Sequence, residues 1–220
     1  MTYNAVRLHS PPALDADWDK EPWAAISPLL IARHMGPEPS HMPKTQAKLA
    51  YDDGSIYVIF RVEDRYVRAV AENHQDAVYA DSCVEFFSSP GPDIGRGYFN
   101  LEMNCGGTML FGYHPAEGQG EPRRLSIEEC GSIPVAHSMP RIVDPEIQEP
   151  TTWTVEYRIP LDLLGNYCEV DAPAPGVEWR ANLYKCADES SHPHWLTWSP
   201  VDFPTPSFHR PESFGTLRFV

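Results

Sequence analysis

Apolar and polar residues alternate with a period of two along most of this chain, and that period predicts strands. In TTWTVEYRIP, Trp153, Val155, Tyr157 and Ile159 share one face, while Thr154, Glu156 and Arg158 share the other. The stretch TQAKLAYDDGSIYVIFRVED reads as two β-rich runs joined at Asp52-Asp53-Gly54, the turn chemistry of a hairpin. GYFNLEMNCGGTMLFGY reads as a second hairpin, turning near Cys105-Gly106-Gly107. SCVEFFSS, VEWRANLYKC and GTLRFV complete the set of predicted strands.

Helical signal is confined to PLDLLG after Ile159, one turn with Pro at its start and Gly at its stop. Segments 31–43, 88–96, 114–124 and 188–194 are rich in Pro, Gly, His and acidic residues and read as loops. Many short strands with turns between them predict an all-β fold, an antiparallel β-sandwich of two sheets, jelly-roll or immunoglobulin-like, with long loops. A length of 220 residues without an internal repeat suits one such domain over 1–220.

The last fifth of the chain departs from this pattern. WLTWSPVDFPTPSFHRPESF packs five aromatics and four prolines into residues 195–214. Proline at that density excludes helix and interrupts sheet pairing, so much of the segment is a stiff surface loop rich in aromatic area. Trp195 and Trp198, three apart, point to opposite faces if the segment is extended, one inward and one outward. Trp18, Trp23, Trp153 and Trp179 lie in strand or turn motifs and are expected in the core. Arg210 and Glu212 flank Pro211 and are expected to pair and pin the loop.

Charge narrows the partners. The formal net charge of -14 repels phosphate backbones and argues against nucleic acid. No basic amphipathic stretch or long apolar run points to a membrane, and a monomer is expected. The first residues contain neither a basic n-region nor an apolar h-region, which fits a cytoplasmic chain or one whose leader has been removed. Five cysteines, an odd number at wide spacing with no CxxC, predict buried free thiols and argue against a zinc ribbon.

Strand parity then supplies candidate chemistry. In YFNLEMN, Asn100, Glu102 and Asn104 face away from Phe99, Leu101 and Met103; in WRANLYK, Arg180, Asn182 and Tyr184 share a face. Asn, Arg and Glu each make two directional hydrogen bonds from one rigid group, the requirement for reading the hydroxyl rim of a sugar, while flat aromatics suit its C–H face. Solvated strand faces carry the same residues, so the pattern alone leaves both readings open.

The ordered set ALDADWDKEPW, AKLAYDDGSIYVIFRVED, DSCVEFF, YFNLEMNCGGT, WTVEYRIPLDLL, WRANLYK and ESFGTLRF resembles carbohydrate-binding module family 9-like domains over roughly residues 11–220. The resemblance implies a sandwich of two antiparallel sheets and a non-catalytic sugar or polysaccharide site in which two rings clamp a terminal unit. Tyr79, just before the DSCVEFF strand, and Phe208, in the loop before FGTLRF, match the clamp positions, where the family's best-studied pattern has Trp. The expected ligand-binding set is Tyr79, Phe208, Asn100, Glu102, Arg180, Asn182 and Trp198.

Three rivals remain. A glycoside-processing enzyme or xylanase-associated subunit would draw on Asp81, Glu85, Glu102 and Glu156, although no GxSxG or HExxH motif is present. Some relatives of the fold hold b-type haem through Met with Lys or His, for which Met103, Met109, Lys185 and His209 are available. No cofactor is otherwise expected. Asp15, Asp17 and Asp19 resemble calcium ligands, but they lack the Gly and Glu of an EF-hand loop; turn capping is the expected role, with a structural calcium as the alternative.

Overall fold

A computed structural model describes residues 1–220. Its strands in chain order are β1 (Thr2–Arg7), β2 (Leu29–Ile31), β3 (Arg33–His34), β4 (Lys44–Tyr51), β5 (Ser55–Asp64), β6 (Val67–Ala69), β7 (Cys83–Ser89) and β8 (Tyr98–Asn104). They continue with β9 (Met109–His114), β10 (Arg123–Arg124), β11 (Val135–His137), β12 (Val143–Ile147), β13 (Thr151–Pro160), β14 (Glu178–Cys186), β15 (Trp195–Thr197) and β16 (Gly215–Phe219). The front sheet runs β10-β9-β8-β7-β14-β16, with β15 beside β14 and β3 beside β15; the back sheet runs β4-β5-β13-β11, with β2 beside β4. β1 joins the two, pairing Thr2–Ala5 with β16 and Val6–Arg7 with β4.

The expected antiparallel sandwich is therefore present. Its one departure is that both pairings of β1 are parallel. Both hairpins form as expected, β4 with β5 and β8 with β9. PLDLLG makes helix α2 (Leu161–Gly165). A short helix α1 (Ile127–Gly131) was not anticipated, although Ser126 and Glu129 form a reciprocal capping box that the sequence displays. No helix is long and apolar enough to cross a membrane.

The core lies between the sheets. Val84, Phe86, Phe99, Leu101, Met103, Phe111 and Leu183 of the front sheet meet Leu49, Val58, Phe60, Trp153, Val155 and Tyr157 of the back sheet. The parity read from sequence holds for Phe99, Leu101 and Met103 and for Trp153, Val155 and Tyr157. The outward faces are covered too. Residues 8–26 close the back sheet with a small cluster of Leu8, Trp18, Trp23 and Ile26 on Ala50, Tyr57 and Ile59. Met35, Ala71, Val78, Phe208 and Phe214 cover the front sheet over Cys83, Phe87, Tyr98, Tyr184 and Cys186. Trp18, Trp23, Trp153 and Trp179 are all buried, as expected, and all five cysteines are unpaired.

Candidate functional site

The outward face of the front sheet carries a cleft of about 380 Å³, within the usual range for a small-molecule site. Its floor comes from alternate positions of four strands. Glu85 and Phe87 project from β7, Asn100 and Glu102 from β8, Leu110, Gly112 and His114 from β9, and Cys186 from β14. Strand register sets these neighbours, since Glu85 lies directly opposite Glu102 and Phe87 opposite Asn100. Gly112 faces Asn100, and a Cβ there would fall 2.7 Å from Asn100 Oδ1, so glycine keeps that part of the floor open.

Rings line the walls. Tyr79 sits in a single 3-10 turn, Val78–Ala80, and is 42% exposed. Buried Asp81 anchors that turn by accepting from the Val70 and Ala71 amides and from Asn104 Nδ2. Trp195 opposes Cys186 in the β14–β15 register and donates from Nε1 to Asp188 Oδ1 at 2.8 Å. Phe208 lines the cleft but is only 8% exposed, its ring stacked on Tyr184 at 4.1 Å. His114 stacks on Tyr98 at 4.7 Å, and His209 Nδ1 lies 2.9 Å from the Tyr98 hydroxyl. Burial lowers both histidines, His114 to about 4 with the help of His209, so at neutral pH they present uncharged rings. Arg123 and Arg124 stand exposed at the edge strand.

The two floor glutamates define the electrostatics. Glu102 Oε1 accepts from Asn100 Nδ2 at 3.0 Å, and Glu85 Oε1 accepts from Cys186 Sγ at 3.1 Å. The second oxygen of each carboxyl is buried without a hydrogen-bond partner. Burial raises Glu102 to about 7, and burial with the neighbouring Cys186 and Glu102 raises Glu85 well above the usual carboxylate range. A charge on Glu102 is one of the causes that hold the proton on Glu85, after burial and Cys186. Burial likewise raises Asp188 to about 6, against the Trp195 hydrogen bond.

Of the residues expected at the site, Tyr79, Phe208, Asn100 and Glu102 come together in the cleft. Arg180, Asn182 and Trp198 do not line it. Arg180 and Asn182 do share an outward face with Tyr184, but all three fasten the proline-rich loop. Arg180 donates to the Phe214 carbonyl. Asn182 donates to the Ser199 carbonyl and accepts from its amide. The Tyr184 hydroxyl donates to the Phe208 carbonyl at 3.2 Å. Trp198 belongs to the sandwich core, packed so closely over Gly215 that a Cβ there would meet its ring at 2.8 Å. Trp195 is the outward member of the pair.

Other expected contacts also resolve. Arg210 places its guanidinium 3.4 Å over the Phe203 ring rather than on Glu212. Glu156 is fully buried, accepting from the Asp15 and Ala16 amides and from Trp23 Nε1. Asp15 and Asp17 cap successive turns, their carboxylates accepting from the amides two residues on. Met103 and Lys185 project into the core on either side of Val84, and Lys185 Nζ bonds the Cys186 carbonyl and His194 Nε2, so the pair does not fit axial haem ligation.

Residues 19–219 match the profile of carbohydrate-binding family 9. The chain belongs to this family. A candidate carbohydrate-binding protein from Bacteroides uniformis is similar over 100% of this chain and 99% of its own, at 26% identity and a TM-score of 0.88. A family 9 module from Caldicellulosiruptor kristjanssonii in complex with glucose has 12% identity and a TM-score of 0.66, covering 100% of this chain and 96% of its own. The same organism's module in complex with cellotriose has 14% identity and a TM-score of 0.67, covering 100% and 93%. At that identity the two complexes establish the shared fold. A comparison with curated proteins finds no match. Membership makes the chain a carbohydrate-binding domain.

His114, His209, Trp195, Glu85 and Asp188 lie outside the expected ligand-binding set, where Glu85 and His209 figure only as an enzyme carboxylate and a haem ligand among the rival readings. Glu85 and Trp195 carried a legible signal, since Glu85 is a charge on an otherwise apolar strand and Trp195 is one of two tryptophans expected to face oppositely. The histidines carried none, because the fold brings them to the cleft from distant loops and strands.

Proposed function

We propose that this chain is a non-catalytic module that binds one gluco-configured sugar unit, such as a chain end, in the front cleft. The observation that carries this reading is the pair of buried floor carboxyls, Glu85 and Glu102, each with one unpartnered oxygen beneath exposed rings. A buried carboxyl oxygen without a partner costs about 1–3 kcal/mol, and sugar hydroxyls, which both donate and accept, would relieve it in either protonation state. Tyr79 and Trp195 offer faces for the C–H surface of the ring, with Phe208 behind them, and Arg124 and His114 offer polar contacts at the rim. The proline-stiffened loop keeps this shape before ligand arrives, which reduces the entropy lost on binding.

Turnover is not part of the proposal. A glycosidase needs two carboxyls whose pKa values are pushed apart, one acid and one ionised partner. Here burial pushes Glu85 and Glu102 in the same direction. Asp81 and Glu156 are committed to backbone amides.

Calorimetry with glucose and cellotriose, preceded by a glycan array, tests the reading. Tyr79→Ala is expected to weaken binding about tenfold, equal to ~1.4 kcal/mol, without loss of thermal stability. Glu102→Gln is expected to weaken binding in the same assay. Binding that neither substitution changes, or an array without any bound glycan, overturns the proposal; steady release of reducing sugar overturns its non-catalytic part.

A further inference from the structure

The cleft floor holds two thiols that sugar recognition does not explain, beside the Glu85 carboxyl. Cys83 of β7 and Cys186 of β14 are direct register partners, and Glu85 follows Cys83 by two residues on the same outward face. The two sulfurs and a Glu85 carboxylate oxygen lie within 4.8 Å of one another. All three side chains are buried. Cys186 Sγ donates to Glu85 Oε1 at 3.1 Å, while Glu85 Oε2 has no partner. Glu85 and Cys186 line the cleft, so the buried trio has a route to solvent.

We propose that Cys83, Glu85 and Cys186 form a binding site for a thiophilic d10 cation, zinc being the natural occupant, with the fourth coordination position directed into the cleft. In tetrahedral zinc, Zn–S of about 2.3 Å and Zn–O of about 2.1 Å place sulfurs ~3.8 Å apart and sulfur from oxygen ~3.5 Å. Moving the trio from its present spacing to that geometry takes shifts of about 1 Å or less. Two sulfurs and one oxygen select against calcium and magnesium, which take six or more oxygens. Three protein ligands with one open position is the arrangement of zinc sites that hold a water or substrate oxygen.

Binding deprotonates both thiols and the Glu85 carboxyl. Zinc replaces those three protons as the shared partner of the sulfurs and of the unpaired Oε2, and the protons leave to solvent. Burial pushes both thiols up, Cys83 to about 12, so the ion has to displace firmly held protons; the charge of Lys185, on the opposite face of β14, works in the other direction. The surrounding shell is already tied down. Asn104, opposite Cys83 in the β7–β8 register, is held by Asp81 and by the Gly106 and Thr108 amides, and Cys186 Sγ also lies 3.6 Å from the Tyr79 carbonyl. The site shares Glu85 with the proposed sugar contact, while its two thiols take no part in that reading.

The test uses the full chain, reduced and stripped with a chelator, then titrated with Zn2+ and with Cd2+ as a spectroscopic probe. One ion per chain is expected, with a cadmium–thiolate charge-transfer band, proton release on binding and affinity that rises with pH. Cys83→Ser and Cys186→Ser should each abolish the band, Glu85→Gln should weaken zinc about tenfold or more, and Cys105→Ser and Cys130→Ser should leave both unchanged. X-ray absorption of the zinc-loaded native protein gives a readout that needs no variant; two sulfurs per zinc are expected. A first shell of nitrogen and oxygen alone, no band in the reduced native chain, or a band that survives Cys83→Ser and Cys186→Ser overturns the proposal.

Discussion

Glu156 on the back sheet and Glu102 on the front sheet are matched in several respects. Each is mid-strand, points away from the sandwich core, and lies under a segment that covers its sheet. Their surroundings are opposite. Three donors from residues 15–23 converge on Glu156, and neighbouring Lys48 gives its ammonium to the Trp18 and Trp23 carbonyls beneath the Trp18 ring. That cover is complete. Over the front sheet the proline loop is fastened by Arg180, Asn182 and Tyr184 along one edge, leaving the floor of β7 and β8 under an open cleft. The same residue type in the same strand geometry is thus a structural anchor where donors are supplied by the chain, and a candidate ligand contact where they are withheld.

Breaking the closed face should have the largest effect. Glu156→Ala leaves two buried donors, the Ala16 amide and Trp23 Nε1, and the part-buried Asp15 amide unpaired, at about 1–3 kcal/mol for each buried one. At about 2–4 °C per kcal/mol for a chain of this size, thermal melting should fall by roughly 10 °C or more. A melting temperature unchanged by this substitution would mean that the back face is not held as described.

The front loop gives the next largest change. Phe208→Ala removes a buried ring stacked on Tyr184 and should cost about 3 kcal/mol. Stability and sugar affinity should fall together, unlike Tyr79→Ala, which should affect affinity alone. Scanning calorimetry and binding measured on the same samples separate the two residues.

pH sharpens the contrast between the glutamates. Because the folded pKa of Glu102 is raised, from 4.5 to about 7, its protonated form favours the folded state. The contribution is fully present below about pH 4.5 and is lost as pH rises through about 7, an amount of up to about 3 kcal/mol. Glu102→Gln should remove it, so the stability of the native chain relative to this variant should fall between pH 5 and pH 8. Neutral buried histidines act in the opposite sense, and taking the difference between the two proteins cancels them. A difference flat across that window would mean that Glu102 is solvated.

The smallest effect lies at the rim. Asp188→Ala frees the Trp195 indole from its hydrogen bond and should reduce affinity two- to tenfold, the equivalent of about 0.5–1.5 kcal/mol, with little change in melting. Unchanged affinity would place Trp195 outside the binding surface.

The sequence carried much of the fold. The Asp52-Asp53-Gly54 and Cys105-Gly106-Gly107 turns, the inward set Phe99, Leu101 and Met103, the outward set Asn100, Glu102 and Asn104, and the burial of four tryptophans were all legible. A smaller part of the cleft was legible too, through Tyr79, Phe208, Asn100 and Glu102. The polar rows were harder to interpret. Asn182 and Glu102 are both buried on outward faces, yet one holds a loop and the other lines a cleft. Trp195 and Trp198 could be separated only once the register of β15 on β14 was known.

Local rules decide what lies within a few residues. Side-chain parity follows from backbone pleating, and a turn follows from the dihedral freedom of Gly and the side-chain hydrogen bonds of Asp, so the amino-acid order alone determined strands, hairpins and the inward face of each sheet. What covers an outward face depends on where a distant segment lands. Residues 15–23 reach Glu156, and residues 198–214 reach Asn182 and Tyr184, across separations that no periodicity encodes. Only the tertiary structure therefore decided that one buried glutamate is fully satisfied, that two others keep a free oxygen beneath exposed rings, and that Cys83, Glu85 and Cys186 meet at one point.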